Sequence, residues 1–331
     1  MNELDELRDW EAGAPPLDDD TRHRARVRLF AAMNETAAPP RPAWRRPGLR
    51  LAVAGAVAAA VTGTVLVAVN GDDQEEPRAN PPASSAPSMR NVSARAVLNG
   101  AAAYERAHER TVAPHDDQFI YTKEIIKETE DKTGKVTRHV DENWRSVDGS
   151  KRSWVMEIGK GWWAEPLKEN ESSWPPQDWG TLKKLPKDPE KLILSLLHKT
   201  GPHDKNDSLD EITDQEWSDI HFSLAGLLKL VPVMPEGLRP AAYEALGMVP
   251  GVKAVPNQKD AKGRTGVAIT YDDPTVKGTP YGGFFIFDAR TYQFLGFRDE
   301  RSSGDGKDRK VYTQLSYLDS WAITDKAKQR P

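Results

Sequence analysis

Hydrophobic and polar positions divide the chain into stretches of different period. From 51 to 69 the pattern has no polar side: LAVAGAVAAAVTGTVLVAV carries no charge. A helix rising about 1.5 Å per residue over it is about 28 Å long, close to the ~30 Å hydrocarbon core of a bilayer. No water is available there to satisfy backbone groups, so a single segment must be helical. The pattern predicts a transmembrane helix over 49–69. Residues 70–91 are rich in Pro, Ser and Asn and have almost nothing to bury, which predicts an extended linker.

Beyond that linker the period changes repeatedly. Val97, Leu98, Ala101, Tyr104 and Ala107 recur at near-helical spacing, predicting a helix over 93–110. Residues 118–128 and 136–147 are β-rich. Over 152–158, Trp154, Met156 and Ile158 alternate with Ser153, Val155 and Glu157. A turn at Gly159–Gly161 leads into a strand opened by Trp162, Trp163 and Ala164. The middle is helical. Pro189 suits a first turn, with Leu192, Leu196 and Leu197 following. Thr213 and Glu216 form a capping box before Trp217, Ile220, Leu224, Leu227 and Leu228. A third helix is expected from Pro235 to Leu246. Strands return at 265–272, 281–287, 292–300 and 309–318, with a hairpin-sized loop at Asp288–Thr291. Strands, a helical insertion and a final meander predict an α+β domain over 92–331: a curved antiparallel sheet with helices on one face.

Charge orients the span. Arg41, Arg45, Arg46 and Arg50 precede it, and Asp72, Asp73, Glu75 and Glu76 follow it. Basic flanks stay in the cytoplasm, so 1–48 is expected inside the plasma membrane and 92–331 outside. The tail should hold short helices. Its second helix, ending near Met33, carries Arg22, Arg24, Arg26 and Arg28, a surface for anionic headgroups or for a cytoplasmic partner. The formal net charge of −4 argues against a nucleic-acid partner. The chain has no cysteine, which excludes disulfides, thiol catalysis and Cys-ligated zinc.

Candidate chemistry is sparse. His108 and His115 have acidic neighbours but no His-Glu-x-x-His spacing, and no P-loop, dinucleotide fingerprint or nucleophile elbow occurs. The reading is of a protein that is not an enzyme and uses no metal or cofactor. Six tryptophans fall between 144 and 179: Trp144, Trp154, Trp162, Trp163, Trp174 and Trp179. Trp154 is expected in the core. Trp162 and Trp163 are adjacent on a strand and face opposite sides, so one is expected in the core and the other free to meet a ligand or partner. With Phe285 and Phe287 they are the candidate ligand-binding residues, lining an apolar groove between sheet and helices.

The chain resembles a family of actinobacterial single-pass membrane proteins of unassigned function. The residues that carry this are the Leu- and acid-containing opening Asn2–Arg8, the Arg-rich helix ending in Leu29–Met33, and one span followed by an outer domain. The meander from Phe287 to Phe297 is similar to hairpins of lipoprotein-carrier and sigma-regulator half-barrels, although the chain has neither a lipobox Cys nor a His-and-Cys zinc motif. That resemblance implies an open antiparallel sheet around an apolar groove, and lipid or lipoprotein sensing. The expected function is a membrane-anchored extracytoplasmic binding or sensing protein, for an apolar ligand or an envelope protein, that passes a signal inward. The alternatives are a structural envelope scaffold with a filled core, or a hydrolase with an unrecognised site.

Overall fold

The computed structural model describes residues 93–168, 171, 173–197, 208–275, 283–304 and 309–331. The expected cytoplasmic tail, transmembrane helix and linker lie outside the described residues. No helix among the described residues is long and apolar enough to cross a membrane.

Residues 93–331 form an α+β fold on one open antiparallel sheet. Among the described residues its strands are β1 (Phe119–Glu130), β2 (Val136–Ser146), β3 (Ser153–Glu157), β4 (Lys160–Ala164), β5 (Val252–Lys259), β6 (Thr265–Tyr271), β7 (Phe284–Asp288), β8 (Phe294–Ser303) and β9 (Lys310–Thr324). Their order across the sheet is β4-β3-β2-β1-β9-β8-β7-β6-β5. Two meanders, β1–β4 and β5–β9, are therefore joined where β1 meets β9. That junction runs the length of both strands, from Phe119 opposite Thr324 to Glu130 opposite Tyr312, with a bulge beside Lys123 and Glu124.

The helices are α1 (Ala94–His108), α2 (Trp179–Lys184), α3 (Pro189–Leu197), α4 (Asp214–Leu230) and α5 (Leu238–Leu246). Ser93 caps α1 by accepting from the Ala96 amide at 3.2 Å. At α4 the predicted capping box is complete: the Glu216 amide donates to the Thr213 hydroxyl at 3.4 Å, and the Thr213 amide to the Glu216 carboxylate at 2.8 Å. α5 begins three residues later than its pattern suggests. Gly237, at φ 82°, turns the chain, and its amide donates to the Glu109 carboxylate at 2.9 Å. That tertiary bond holds the turn in place, and Pro235 remains outside the helix.

The helices cover half of one face. Leu192, Ile193, Leu224, Leu227, Leu238 and Leu246 pack with Val267, Ile269, Tyr271, Phe285 and Phe287 of β6 and β7. One row follows the register across the sheet: His139, Ile126, Ser316, Phe297, Phe285, Ile269 and Ala254. Phe297, Phe285 and Ile269 meet the helices, while Ile126, His139 and Ser316 lie towards the other half. A smaller cluster of Ile120, Val147, Trp179 and Val233 closes one end of that half.

Three further departures from the pattern have causes that the folded sheet supplies. β5 carries Pro256, Asn257 and two lysines, and the pattern predicts no strand there. It pairs with β6 as an edge strand, bulged between Val255 and Gln258, where the missing proline N–H costs no ladder bond. β9 runs on to Thr324 because β1 supplies partners for Ser320 to Thr324 across a bulge at Asp319, a stretch that no alternation marks. Ile158 is not in β3 but in the turn, at φ 50°. The buried Asp141 carboxylate holds it there by accepting from the Ile158 amide at 2.6 Å and the Gly159 amide at 2.7 Å.

Candidate binding cleft

Register assigns the tryptophans to faces. Trp163 is opposite Trp154, Trp154 opposite Trp144, and Trp144 opposite Tyr121. These four rings form one row on the face away from the helices. Trp154 and Trp163 meet edge to face at 5.4 Å, and Trp144 and Tyr121 are tilted at 4.9 Å. The segment after β9 lies on this row. The Gln329 carbonyl accepts from Trp144 Nε1 at 2.7 Å, Lys328 Nζ sits 3.2 Å from the Trp154 ring, and Arg330 pairs with Glu142. Arg152 stacks on Trp163 at 5.0 Å. Trp154 is half-buried rather than sealed in the core, because β3 and β4 are short and lie at the sheet edge.

Trp162 points the other way. It is opposite Val155, and both lie on the helix side of the sheet, beyond the reach of the helices. On the same face Asn143 is opposite Thr122, and Thr122 is opposite Trp321. Trp162 and Trp321 thus stand in one row, separated by four strand spacings, about 19 Å. Trp162 is 44% exposed and Trp321 37%. Trp163 is also exposed, at 40%, so neither member of the Trp162–Trp163 pair is a core residue.

Beside Trp321 the surface is hollow. A cleft of about 470 Å³, open to solvent, is lined by Val112, Pro114, Trp321 and Ile323, with Arg110, Thr111, Ala113, His115 and Gln118 at its polar edge. Two elements build it. β9 presents Trp321 and Ile323 on alternate residues, and the loop from Arg110 to Gln118 folds over them. Gln118 holds that loop by donating to Asp325 at 2.9 Å and accepting from the His115 amide at 3.0 Å.

Phe285 and Phe287 lie elsewhere. They are 3% and 0% exposed in the helix–sheet core, on β7, six strand spacings from Trp162. The fold does not bring them together with Trp162 and Trp163. Trp321 and Ile323 were missed because they lie beyond the expected end of the last strand, where the flanking Asp319 and Ser320 break the alternation.

Between the filled half and the tryptophan half, the helix-side face is charged. Glu128 is buried and accepts from Arg301 Nε at 2.9 Å and His139 Nε2 at 3.1 Å. Burial alone would raise its carboxyl, but the bonds from Arg301 and His139 outweigh it and hold the group below its ordinary range. Lys229, near the end of α4, reaches Asp299 at 2.7 Å. Burial raises the Glu124 carboxyl, and repulsion from Asp141 and Asp299 adds to the rise. The described surface therefore changes from packed Phe through a charged band to exposed Trp.

A second polar cluster lies under α4. Ser218 Oγ donates to Asp273 Oδ2 at 2.6 Å, and His221 stacks on Tyr271 at 3.8 Å. His221 Nδ1 and Tyr271 Oη have no hydrogen-bond partner. All four residues are buried. The serine proton is committed to a carboxylate rather than to the imidazole. Among the described residues no group of three or more His, Asp or Glu could hold a metal ion.

No protein-family model matches the chain, and no curated protein matches it. Among solved structures, a LolA superfamily protein from Nitrosomonas europaea is similar at 10% identity and a TM-score of 0.19, over 73% of this chain and 96% of that one. At that TM-score the likeness carries no argument for ligand or mechanism.

Proposed function

We infer that residues 93–331 are a non-enzymatic binding domain, carried outside the plasma membrane by the 49–69 span, and that its ligand occupies the cleft beside Trp321. The observation that carries this reading is the open hollow between Trp321, Ile323 and the Arg110–Gln118 loop. Large apolar side chains around a concavity, with a few polar groups at its edge, are what a small-molecule site requires. Trp162, in the same row of the same face, extends the surface on which a longer ligand or an envelope protein would lie. The burial of Ser218 and its bond to Asp273 support a non-enzymatic reading, because nucleophilic catalysis needs an accessible oxygen facing a base.

The filled helix–sheet interface around Phe285 and Phe287 favours the second reading, a structural envelope protein. N-phenyl-1-naphthylamine, an uncharged dye that brightens in apolar sites, separates the two. On the full-length chain it should bind with saturable fluorescence, and Trp321→Ala should weaken that binding several-fold while leaving the melting temperature within a few degrees. Failure to bind, or equal binding by Trp321→Ala, returns the domain to the structural reading.

A further inference from the structure

The aromatic row on the face away from the helices already holds a cation. Trp154 and Trp163 meet with their planes 72° apart and make a two-walled corner. Lys328 Nζ lies in it, 3.2 Å from the Trp154 centroid and 5.1 Å from that of Trp163. Next along the row, Trp144 Nε1 donates to the Gln329 carbonyl at 2.7 Å. Two residues from Trp144 on β2, and so on the same face, Glu142 accepts from the Tyr121 hydroxyl at 2.8 Å and from Arg330 at 2.6 Å. Three successive residues thus meet an aromatic corner, an indole N–H and a carboxylate.

Among the described residues little else holds this segment. β9 ends at Thr324, so residues 325–331 add no rung to the sheet. Ala327 packs at the edge of the ring cluster, and the Gln329 amide closes a turn on the Lys326 carbonyl at 3.2 Å. Lys328, Gln329 and Arg330 are otherwise exposed. Lys328 stands at φ 65°, in the left-handed region that residues with a Cβ rarely adopt, so its ammonium reaches the rings from strained backbone. Ring faces attract an ammonium through their quadrupole, and a fixed carboxylate suits a guanidinium. Both attractions are for the cations, whichever chain carries them.

We propose that this row is a recognition groove for a basic segment of a partner protein, a lysine followed two residues later by an arginine, and that residues 326–331 are a tethered stand-in for it. The corner of Trp154 and Trp163 takes the lysine, and Glu142 takes the arginine. A second copy of this chain makes a poor occupant. Its identical segment would compete with one already tethered beside the groove at roughly millimolar effective concentration. A foreign segment has an advantage, because it can present its lysine from relaxed backbone. The groove and the Trp321 cleft lie on opposite faces of the sheet, so neither reading depends on the other.

NMR of the full-length chain with isotope-labelled tryptophan tests it, because the indole N–H signals of Trp144 and Trp163 can be assigned by Trp→Phe replacement. The probe is an end-blocked peptide with the sequence of residues 324–331, TDKAKQRP. Lys328→Ser together with Arg330→Ser should empty the groove and shift both signals. Added peptide should then reverse the shift, at about tenfold lower concentration than perturbs the parent. Norleucine in place of the second lysine of the peptide should weaken binding about fivefold to tenfold, and Trp163→Ala in the emptied variant should weaken the parent peptide likewise. Equal response of parent and emptied variant overturns the stand-in. No response of the emptied variant to millimolar peptide overturns the groove, and equal binding of the norleucine peptide overturns recognition of the ammonium. Loss of cooperative melting in the emptied variant overturns the proposal by making residues 326–331 part of the fold. A parent dimer that dissociates in the emptied variant assigns the segment to a second copy and overturns the partner protein.

Discussion

At the residue scale, the buried imidazole of His221 sets an acid limit on the fold. Burial drives its pKa down to about 3, although the Asp273 carboxylate pulls the other way. In the unfolded chain the group titrates near its ordinary value of about 6.5. Below that pH the unfolded state takes up a proton that the native state refuses. The contribution is therefore complete above about pH 6.5 and declines as the pH falls towards 3, by up to about 1.4 kcal/mol per pH unit. Asp273 and Glu128, whose pKa values are lowered, add their own loss only below the ordinary carboxylate range. Glu124 and Glu105, whose pKa values are raised, act in the opposite direction. Comparing a variant with the parent isolates the imidazole. His221→Phe keeps a ring against Tyr271 and should flatten the fall in melting temperature between pH 6.5 and 4.5. Parallel melting curves for parent and variant across that window would contradict the buried neutral imidazole.

At the scale of the element, the β3–β4 hairpin shows how a buried carboxylate determines where an aromatic ring points. Ile158 is β-branched and sits at positive φ, which is strained. Asp141 offsets that strain with its two bonds to the turn amides, and so fixes which residues of β4 face each side. Gly161 follows from the same arrangement, since a Cβ there would lie 2.3 Å from the Trp154 ring. Asp141→Ala should cost about 2–3 kcal/mol, through two lost bonds to a charged acceptor. Denaturant unfolding measures the loss, and the emission of Trp162 and Trp163 should report the hairpin opening first. A change under about 0.5 kcal/mol would mean that the hairpin holds itself.

At the scale of the whole molecule, the two halves of the sheet have different tasks. The β5–β8 half is sealed by helices and supplies stability. The β4–β9 half, closed at one end by the cluster of Ile120, Val147, Trp179 and Val233, leaves the rest of its helix-side face uncovered, with the cleft upon it. Such a division suits the proposed display on one side of a membrane, and the topology proposed from the charges around 51–69 has that side outside. A reporter enzyme active only outside the cytoplasm, fused after Pro331, should be active. Activity from a cytoplasm-specific reporter at the same position would reverse the topology.

The strands and helices of this domain were legible wherever a local cause suffices. The Thr213–Glu216 box, the strands from Phe119 to Ser146 and the α+β class follow from side-chain chemistry a few residues apart. So does the opposite facing of Trp162 and Trp163, since adjacent strand residues must diverge. Which of the two faces the cleft was not legible, because it depends on Trp154 meeting Trp163 across a pair set by the Asp141 turn. The cleft itself is further from the local pattern. Trp321 and Ile323 lie among polar residues, and become a wall only because β1 pairs with β9 over its whole length, about 200 residues away in the chain. Phe285 and Phe287 read as apolar strand residues suited to a groove, and only the packing of α1, α3, α4 and α5 decides that they are sealed. The sequence by itself determines period and capping, which are short-range properties. Exposure and partnership are decided by what the folded chain brings opposite each side chain.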